Sequence, residues 1–155
     1  DVDEQALLAT ARRAEQAQLG DRIAFVLGNA VPSADHASDG NGSDADGKGR
    51  GLLHQPQQLV YALGLCEYLA DDEVVGLLNH AHAMLAPRGL LIVSNLATGQ
   101  PDQLLMANLL DWQTHHRTAA ALQALFARSA CAGLALSLDL DDVEVSWMAA
   151  CRKAG

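Results

Sequence analysis

The stretch QLVYALGLCEYLADDEVVGLLNHAHAMLAPRGLLIVSN, residues 58–95, contains the pattern that decides the fold. Residues 58–64 are largely apolar and uncharged, as expected of a buried strand, and they end in a glycine. Apolar residues then recur with a helical period from Asp71 to Leu85, and residues 89–96 form a second apolar run that predicts another buried strand. A strand, a helix and a strand in this order are typical of a βαβ unit with two parallel strands.

The helix of this unit has recognisable signals at both ends. Asp71 is a suitable N-cap, because its carboxylate can accept hydrogen bonds from the free N–H groups of the first turn. Asp72 and Glu73 add negative charge at the positive end of the helix dipole. We expect Pro87 and Gly89 to stop the helix before the second strand begins.

Further elements are predicted upstream of this unit. Residues 4–18 place apolar side chains on one helical stripe, and Gly20 is positioned to cap the end of that helix. Residues 22–30, RIAFVLGNA, carry no charge after Arg22 and predict a buried strand. The segment 32–56 is rich in Gly, Asp and Ser and shows no periodicity, so it predicts a flexible surface insertion.

Two helices and a hairpin are predicted downstream. Residues 101–112 begin with a proline and carry an apolar face, and residues 118–130 begin at Thr118, a suitable N-cap. Residues 134–153 predict two strands joined by the tight acidic turn Asp141-Asp142, which favours an antiparallel hairpin. The complete order predicts an α/β fold of the Rossmann-like, doubly wound type, with a mostly parallel sheet and a C-terminal antiparallel hairpin.

Length and charge limit the domain organisation and the class of partner. With 155 residues the chain fits a single domain, residues 1–155. The formal net charge of −9 at pH 7 opposes binding to nucleic acids or anionic membranes, because such binding depends on Lys and Arg. No apolar run approaches the roughly 20 residues that cross a bilayer. We therefore predict a cytoplasmic protein with no membrane span and no nucleic-acid partner.

The cysteines indicate free thiols. Cys66, Cys131 and Cys151 are odd in number, lie far apart and sit within apolar runs. This pattern predicts buried free thiols in a reducing compartment, because it offers neither a disulfide framework nor a Cys-x-x-Cys metal motif.

The acidic insertion has a partial similarity to a calcium loop. In DGNGSDADGKG, Asp39, Asn41 and Ser43 alternate as calcium ligands do. Asp44, however, replaces the turn glycine, and Arg50 replaces the bidentate glutamate of such loops. The sequence therefore disfavours calcium, and we predict no metal site.

Three stretches together resemble the later two thirds of a class I S-adenosylmethionine-dependent methyltransferase. Residues 1–12, DVDEQALLATAR, resemble the end of that family's second strand and its following helix, and residues 22–31 resemble its third strand. Residues 58–95 look like its fourth strand, helix and fifth strand. The predicted hairpin also fits, because the family's seven-stranded sheet ends in an antiparallel pair. The resemblance implies methyl transfer with S-adenosylmethionine as cofactor.

Shorter motifs are similar to one bacterial subgroup of that family, which is linked with the synthesis of 3-hydroxy fatty acid methyl ester signals. The motifs are GLCEYL at 64–69, SNL at 94–96 and LLDWQTHHRT at 109–118. The subgroup carries recurring G-L-F-D-Y-L and D-W-x-x-x-Y-R-[TD] stretches. This similarity implies O-methylation of a carboxylate or hydroxyl on a small or fatty-acyl substrate.

The resemblance implies that several strand ends bind the cofactor. Asp1 would accept hydrogen bonds from the ribose hydroxyls, and Asn29 and Ala30 would border the adenine. The alternatives are a frayed terminus for Asp1 and a plain turn for the other two.

A third part of the implied cofactor site lies at the end of the first strand of the βαβ unit. Ala62, Leu63 and Gly64 would line the methionine segment and the transferring methyl group, where small size is required. The alternative is an ordinary strand-to-helix turn. Cys66 follows closely, but its expected role is packing, since it lacks the flanking glycines of a nucleophile elbow.

The implied substrate side is the cluster Trp112, His115, His116 and Arg117 between two predicted helices. Arg117 would clamp a substrate carboxylate bidentately, with His115 or His116 as an additional donor. A carboxylate is already a nucleophile, so the transfer would need alignment with the sulfonium more than a base. The alternative is a solvated connection between helices.

The resemblance also predicts that the chain is a fragment. The family's Gly-rich loop, which cradles the methionine end of the cofactor, has no counterpart, and the first one to two strands of the sheet are expected to be absent. Residues 22–27 would then be displaced or paired directly with residues 59–63. Two hypotheses follow: a methyltransferase whose intact parent is active, or a non-catalytic α/β module that packs against a partner.

Overall fold

The computed structural model describes residues 4–18, 55–100 and 103–155. It divides into two compact units, Asp1–Gln55 and Pro56–Gly155. In the first unit, helix α1 comprises Glu4–Gln16 and confirms the helix predicted there. The chain leaves the helix where Gln18 adopts a left-handed backbone conformation with φ of 58°. The predicted cap Gly20, the strand at 22–30 and nearly all of the insertion at 32–56 lie outside the described residues.

The second unit combines a sheet with helices. The strands are β1 (Gln57–Ala62), β2 (Leu85–Leu96), β3 (Leu136–Leu140) and β4 (Ser146–Arg152). The α-helices are α2 (Asp71–Met84), α3 (Gln103–Leu109) and α4 (Ala119–Ala127), and a short 3₁₀ helix, Cys66–Tyr68, follows β1.

The described strands form one four-stranded sheet in the order β1-β2-β4-β3. β1 and β2 are parallel and are joined by α2, which confirms the predicted βαβ unit. β4 is antiparallel to both of its neighbours, β2 and β3, so the predicted C-terminal hairpin extends the same sheet. The α/β, Rossmann-like fold class is thus confirmed.

The core lies on one face of this sheet. Val60, Leu91, Cys151 and Leu136 form one row across the four strands, and the row formed by Ala62, Val93, Ala149 and Leu138 is parallel to it. Side chains from α2 and α4 pack on these rows and complete the cluster, chiefly Leu77, Leu78, Leu122 and Phe126. The three cysteines are free and buried, as predicted.

The predicted turn residues Pro87 and Gly89 lie inside the second strand instead of before it. Residue 57 of β1 pairs with Leu85 and Leu59 pairs with Leu90, so the chain advances five positions along β2 while it advances two along β1. The resulting irregularity contains Pro87, and Arg88 adopts a φ of 64°. The helix ends before Pro87, as predicted, but the strand begins at Leu85 instead of Gly89, because β2 follows α2 directly and accommodates the turn as a bulge.

One of the two predicted N-cap residues is confirmed, and the other prediction is wrong. Thr118 caps α4, and its side chain accepts a hydrogen bond from Ala121 N at 3.1 Å. The cap of α2 is Ala70, not Asp71, and the Glu73 carboxylate accepts a hydrogen bond from Ala70 N at 2.7 Å. The Asp71 carboxylate instead contacts Arg117.

Two boundaries also differ from the sequence-based expectation. Helix α3 ends at Leu109, three residues before the predicted end. The hairpin turn spans residues 141–145 instead of two residues, because the Asp141 carboxylate accepts a hydrogen bond from Val145 N at 2.6 Å and Glu144 adopts a φ of 58°.

Gly89 provides a test of the packing at the bulge. A Cβ at this position would lie 2.8 Å from Gln57 O and 2.9 Å from Ala86 O, both of which are backbone atoms that cannot move aside cheaply. We expect Gly89→Ala to lower the free energy of unfolding by about 1–3 kcal/mol, measured by urea denaturation.

Gly76 in the middle of α2 is the matched control, since a Cβ there meets no atom within 4 Å. We expect Gly76→Ala to raise the free energy of unfolding by about 0.5–1 kcal/mol, because alanine loses less backbone entropy in a helix. Equal effects at the two positions would contradict this description of the bulge.

Candidate functional site

The site is at the edge of the sheet where β1 and β2 reach their carboxyl ends. Ala62 is the last residue of β1, and Gly64 follows two residues later with a φ of 70°, a conformation that favours glycine. The Gly64 N–H donates a hydrogen bond to Ser94 Oγ at 2.8 Å. This bond ties the tip of β1 to the neighbouring parallel strand and holds the turn at Gly64 in place.

A 3₁₀ turn, Cys66–Tyr68, follows the tip. Cys66 is fully buried in the core. The pKa of its thiol is raised to about 11, chiefly by burial and also by the negative charge of Glu67, while the Arg117 guanidinium acts in the opposite direction. Cys66 is therefore a protonated packing residue, as the sequence predicts.

The guanidinium of Arg117 is hydrogen-bonded to backbone carbonyls of this turn. Arg117 is 5% exposed. Nε and Nη2 donate to Asp71 Oδ1 at 3.0 and 2.8 Å, Nη2 also donates to Leu69 O at 2.7 Å, and Nη1 donates to Cys66 O at 2.8 Å and Asn95 Oδ1 at 2.6 Å. These bonds use all five N–H groups of a guanidinium.

This arrangement does not fit the expectation that Arg117 clamps a substrate carboxylate. A bidentate clamp needs two N–H groups directed at the ligand. In this structure the five N–H groups of Arg117 are directed at the turn, at helix α2 and at the end of β2. Arg117 is a positioning residue, because it joins the elements that carry the rest of the site.

The segment around Arg117 runs alongside the end of β2. Arg117 N donates to Leu96 O at 2.9 Å, and Thr98 N donates to Arg117 O at 3.3 Å. Upstream, His115 N donates to Glu67 O at 2.6 Å, and the amide of the buried Asn95 donates to His115 O at 2.9 Å. The structure thus brings the predicted substrate-side cluster against the turn that follows the predicted cofactor-side strand tip.

The other side chains of the cluster differ in how far they are exposed and already hydrogen-bonded within the chain. The His116 ring contacts Ala97 O through Nδ1 at 2.9 Å and Thr114 Oγ1 through Nε2 at 3.1 Å, which holds its orientation. The His115 side chain is exposed. Trp112 is 45% exposed, and its Nε1 donates to the Tyr68 hydroxyl at 3.0 Å.

Three predicted cofactor residues cannot be placed. Asp1, Asn29 and Ala30 lie outside the described residues, so their assigned contacts with ribose and adenine stay predictions. Ala62, Leu63 and Gly64 are at the strand tip, as expected from the βαβ pattern.

Sequence reasoning missed several polar residues of the site. Ser94 and Asn95 are buried at the end of β2 and bond to Gly64 and Arg117, respectively. Their signal was a pair of hydrogen-bonding side chains at the end of an otherwise apolar strand. Glu67 is also buried, and its signal was a lone carboxylate within GLCEYL.

A separate depression of about 590 Å³ lies between the end of β2 and the β3–β4 hairpin. It is open to solvent, and its only titratable lining residue in the described part of the chain is Glu144. None of the predicted site residues lines it. The predicted cofactor residues that the structure describes lie at the strand tip and not in this depression.

The fold resembles several solved structures. A possible exported protein from Bordetella parapertussis aligns with a TM-score of 0.71 and 20% identity, over 100% of this chain and 52% of that chain. An O-methyltransferase family protein from Burkholderia thailandensis aligns with a TM-score of 0.61 and 15% identity, over 96% and 41%. Magnesium protoporphyrin IX methyltransferase from Synechocystis PCC 6803, with bound SAH, aligns with a TM-score of 0.63 and 11% identity, over 99% and 62%. The chain shares the α/β, Rossmann-like fold of these proteins.

At these identities the likeness shows the fold alone. The chain spans about half the length of the solved proteins that it matches. No protein-family model matches the sequence, and no curated protein matches it significantly. None of the helices in the described part of the chain has the length and apolar character needed to cross a bilayer.

The positioning role of Arg117 is testable by a conservative change. Lysine has three donors on one nitrogen and cannot reproduce five bonds in a fork. We expect Arg117→Lys to lower the free energy of unfolding by about 3 kcal/mol or more, because buried acceptors lose charged donors. Arg128, which is half exposed and pairs with the exposed Asp72, is the control, and Arg128→Lys should change stability by less than about 1 kcal/mol. Equal losses would contradict the assignment.

The buried Cys66 thiol predicts a dependence of stability on pH. Its pKa is about 11 in the folded chain against an ordinary value near 9, so the unfolded chain releases the proton first. The stability that Cys66 contributes is therefore complete below pH 9 and is lost as the pH rises towards 11. Relative to Cys66→Ala, the wild type should lose about 2–3 kcal/mol over this range in urea unfolding. Parallel curves for the two proteins would contradict this prediction.

Proposed function

We propose that this chain is part of an S-adenosylmethionine-dependent methyltransferase that methylates an oxygen of a small or fatty-acyl substrate. The observation that carries the proposal is the glycine tip of β1, tied to Ser94 at the adjoining end of a parallel strand within a fold that solved methyltransferases share. Ligands of open α/β sheets bind outside the carboxyl ends of the strands.

The strand tip suits the methionine end of the cofactor. A Cβ at Gly64 would meet a single atom within 4 Å, Glu67 Oε1 at 3.7 Å, so a ligand can approach this backbone closely. We propose that Ala62, Leu63 and Gly64 line the methionine segment there. Asp1, Asn29 and Ala30 keep their proposed roles at the ribose and the adenine. When bound, the cofactor supplies a methyl group activated by a sulfonium.

The substrate side would lie across the 3₁₀ turn from the strand tip. Trp112 and Tyr68 present exposed aromatic surface there, which suits a small or fatty-acyl substrate. The exposed His115 supplies a donor or acceptor, while His116 and Arg117 hold the segment in position. The buried free thiols support a reducing compartment, and we include a cytoplasmic location in the proposal.

A second candidate is a non-catalytic packing module. Leu59 and Tyr61 point away from the core on β1 and are 49% and 64% exposed. An apolar strand face of this kind is typical of a surface that another element covers. The limited share of the solved proteins that the chain spans is consistent with this alternative.

Cofactor titration separates the two candidates. S-adenosylmethionine is titrated by calorimetry into this chain and into the same chain extended upstream. Binding to either supports the methyltransferase proposal, and binding to neither contradicts it and favours the packing module.

Gly64→Ala tests whether the strand tip is the contact, with Gly133→Ala as the control. Both glycines have positive φ, 70° and 79°, so alanine introduces similar backbone strain at each position. The variant is made in whichever of the two proteins, the chain or its extended version, binds S-adenosylmethionine. We expect Gly64→Ala to weaken that binding by about tenfold or more, because the added methyl group occupies the tip. Gly133→Ala should bind normally. Equal weakening in both variants would show a loss of stability instead of a lost contact.

A further inference from the structure

The Glu67 carboxylate is buried, and one of its two oxygens has no hydrogen-bond partner among the described residues. The residue is 8% exposed, and the unpartnered oxygen is Oε2. Buried carboxylate oxygens are nearly always hydrogen-bonded, because their desolvation is expensive. Such an atom next to a strand tip requires an explanation, and none of the roles proposed above provides one.

Arg117, the cation bonded to the 3₁₀ turn of Glu67, forms no ion pair with this carboxylate within the described residues. Arg117 contacts the same turn, but its five N–H groups are bonded to Cys66 O, Leu69 O, Asp71 and Asn95. Within the described ranges, the ion pair of Arg117 is formed with Asp71. Glu67 itself is bonded there through its backbone, since Glu67 O accepts a hydrogen bond from His115 N.

One oxygen of the carboxylate, Oε1, lies near the proposed ligand position, while the unpartnered Oε2 is the other oxygen of the same group. Glu67 Oε1 is 3.7 Å from the point that a Cβ of Gly64 would occupy. Three exposed side chains are close by in the chain or bonded to it. Leu63 precedes Gly64, Tyr68 follows Glu67, and Trp112 donates a hydrogen bond to Tyr68. Together they place a single acceptor group beside apolar and aromatic surface.

We infer that Glu67 accepts a hydrogen bond from an aliphatic hydroxyl or amine bound beside Gly64, and that it excludes carboxylates from this position. A ligand donor beside Gly64 would bond to Oε1 and offset part of the desolvation cost of the delocalised carboxylate, whereas a second carboxylate would add like charge in a poorly solvated site. The inference rests on the proposed function in that the ligand is the methyl acceptor, and it selects hydroxyl over carboxylate as the group methylated.

The test uses simple probes with one alkyl chain and different head groups. Octanol, octylamine and octanoate are titrated separately into the chain and followed by ligand-observed NMR. The wild type should bind octanol and octylamine at least about tenfold more tightly than octanoate. Glu67→Gln and Glu67→Met should reduce this preference to about twofold or less.

A charge-matched control separates a local contact from the overall acidity of the chain. Asp142 is exposed in the hairpin turn, and Asp142→Asn removes one negative charge there. This variant should keep the wild-type preference. Thermal unfolding of Glu67→Met without ligand should occur at the wild-type temperature or higher, because a buried orphan charge is removed. A merely structural Glu67 would instead lower that temperature.

Four results would overturn the inference. They are absence of binding for all three probes, tighter binding of octanoate, a preference that survives both Glu67 variants, and a weakening of S-adenosylmethionine binding in Glu67→Met that equals the weakening of octanol. The last result would assign the carboxylate to the cofactor. Failure of S-adenosylmethionine to bind, with the probe preference intact, would reject the proposed function and leave Glu67 as a binding group for hydroxyls and amines.

Discussion

The five hydrogen bonds of the Arg117 guanidinium are the constraint on which the site depends. They connect the 3₁₀ turn after β1, the start of α2 and the end of β2 to the segment that precedes α4. Without them, three neutral acceptors would lose a charged donor in a poorly solvated place. Two neighbouring side chains are committed to this residue. The Asp71 carboxylate accepts hydrogen bonds from Arg117 instead of capping the helix, and the Asn95 amide oxygen accepts another.

The two sides of the site have different physical characters. The strand-tip side depends on backbone geometry, since Gly64 has a positive φ and its N–H is fixed by Ser94. The other side depends on side chains, where Trp112 and Tyr68 offer aromatic surface and Glu67 offers a buried acceptor. In the proposed methyl transfer, the rigid tip would hold the methyl donor, and the side with Glu67 would select the molecule that receives the methyl group.

Sequence reasoning succeeded where the signal is local. The apolar period of α2, the runs of β1 and β2 and the Thr118 cap depend on near neighbours, and the structure contains each of them. Sequence reasoning failed where the contacts of a residue are determined by a partner that is distant in sequence. Asp71 has the residue type of an N-cap, but Arg117, 46 positions away, binds its carboxylate. The turn at Pro87 becomes a bulge only because β1 pairs across it. Arg117 resembled a ligand clamp because all four of its acceptor atoms are distant in sequence and two of them are backbone carbonyls, which no side-chain pattern marks.

The sequence separation of these bonds also bears on the order in which the protein folds. Arg117 reaches acceptors 22 to 51 positions away, so loop closure must precede every one of its bonds. The strand pair β1–β2 and helix α2 lie within a shorter segment and can assemble before residues 112–117 are placed. Because Arg117 bonds to the 3₁₀ turn, α2 and β2 together, we expect the segment that completes the site to dock on this unit after the unit has assembled.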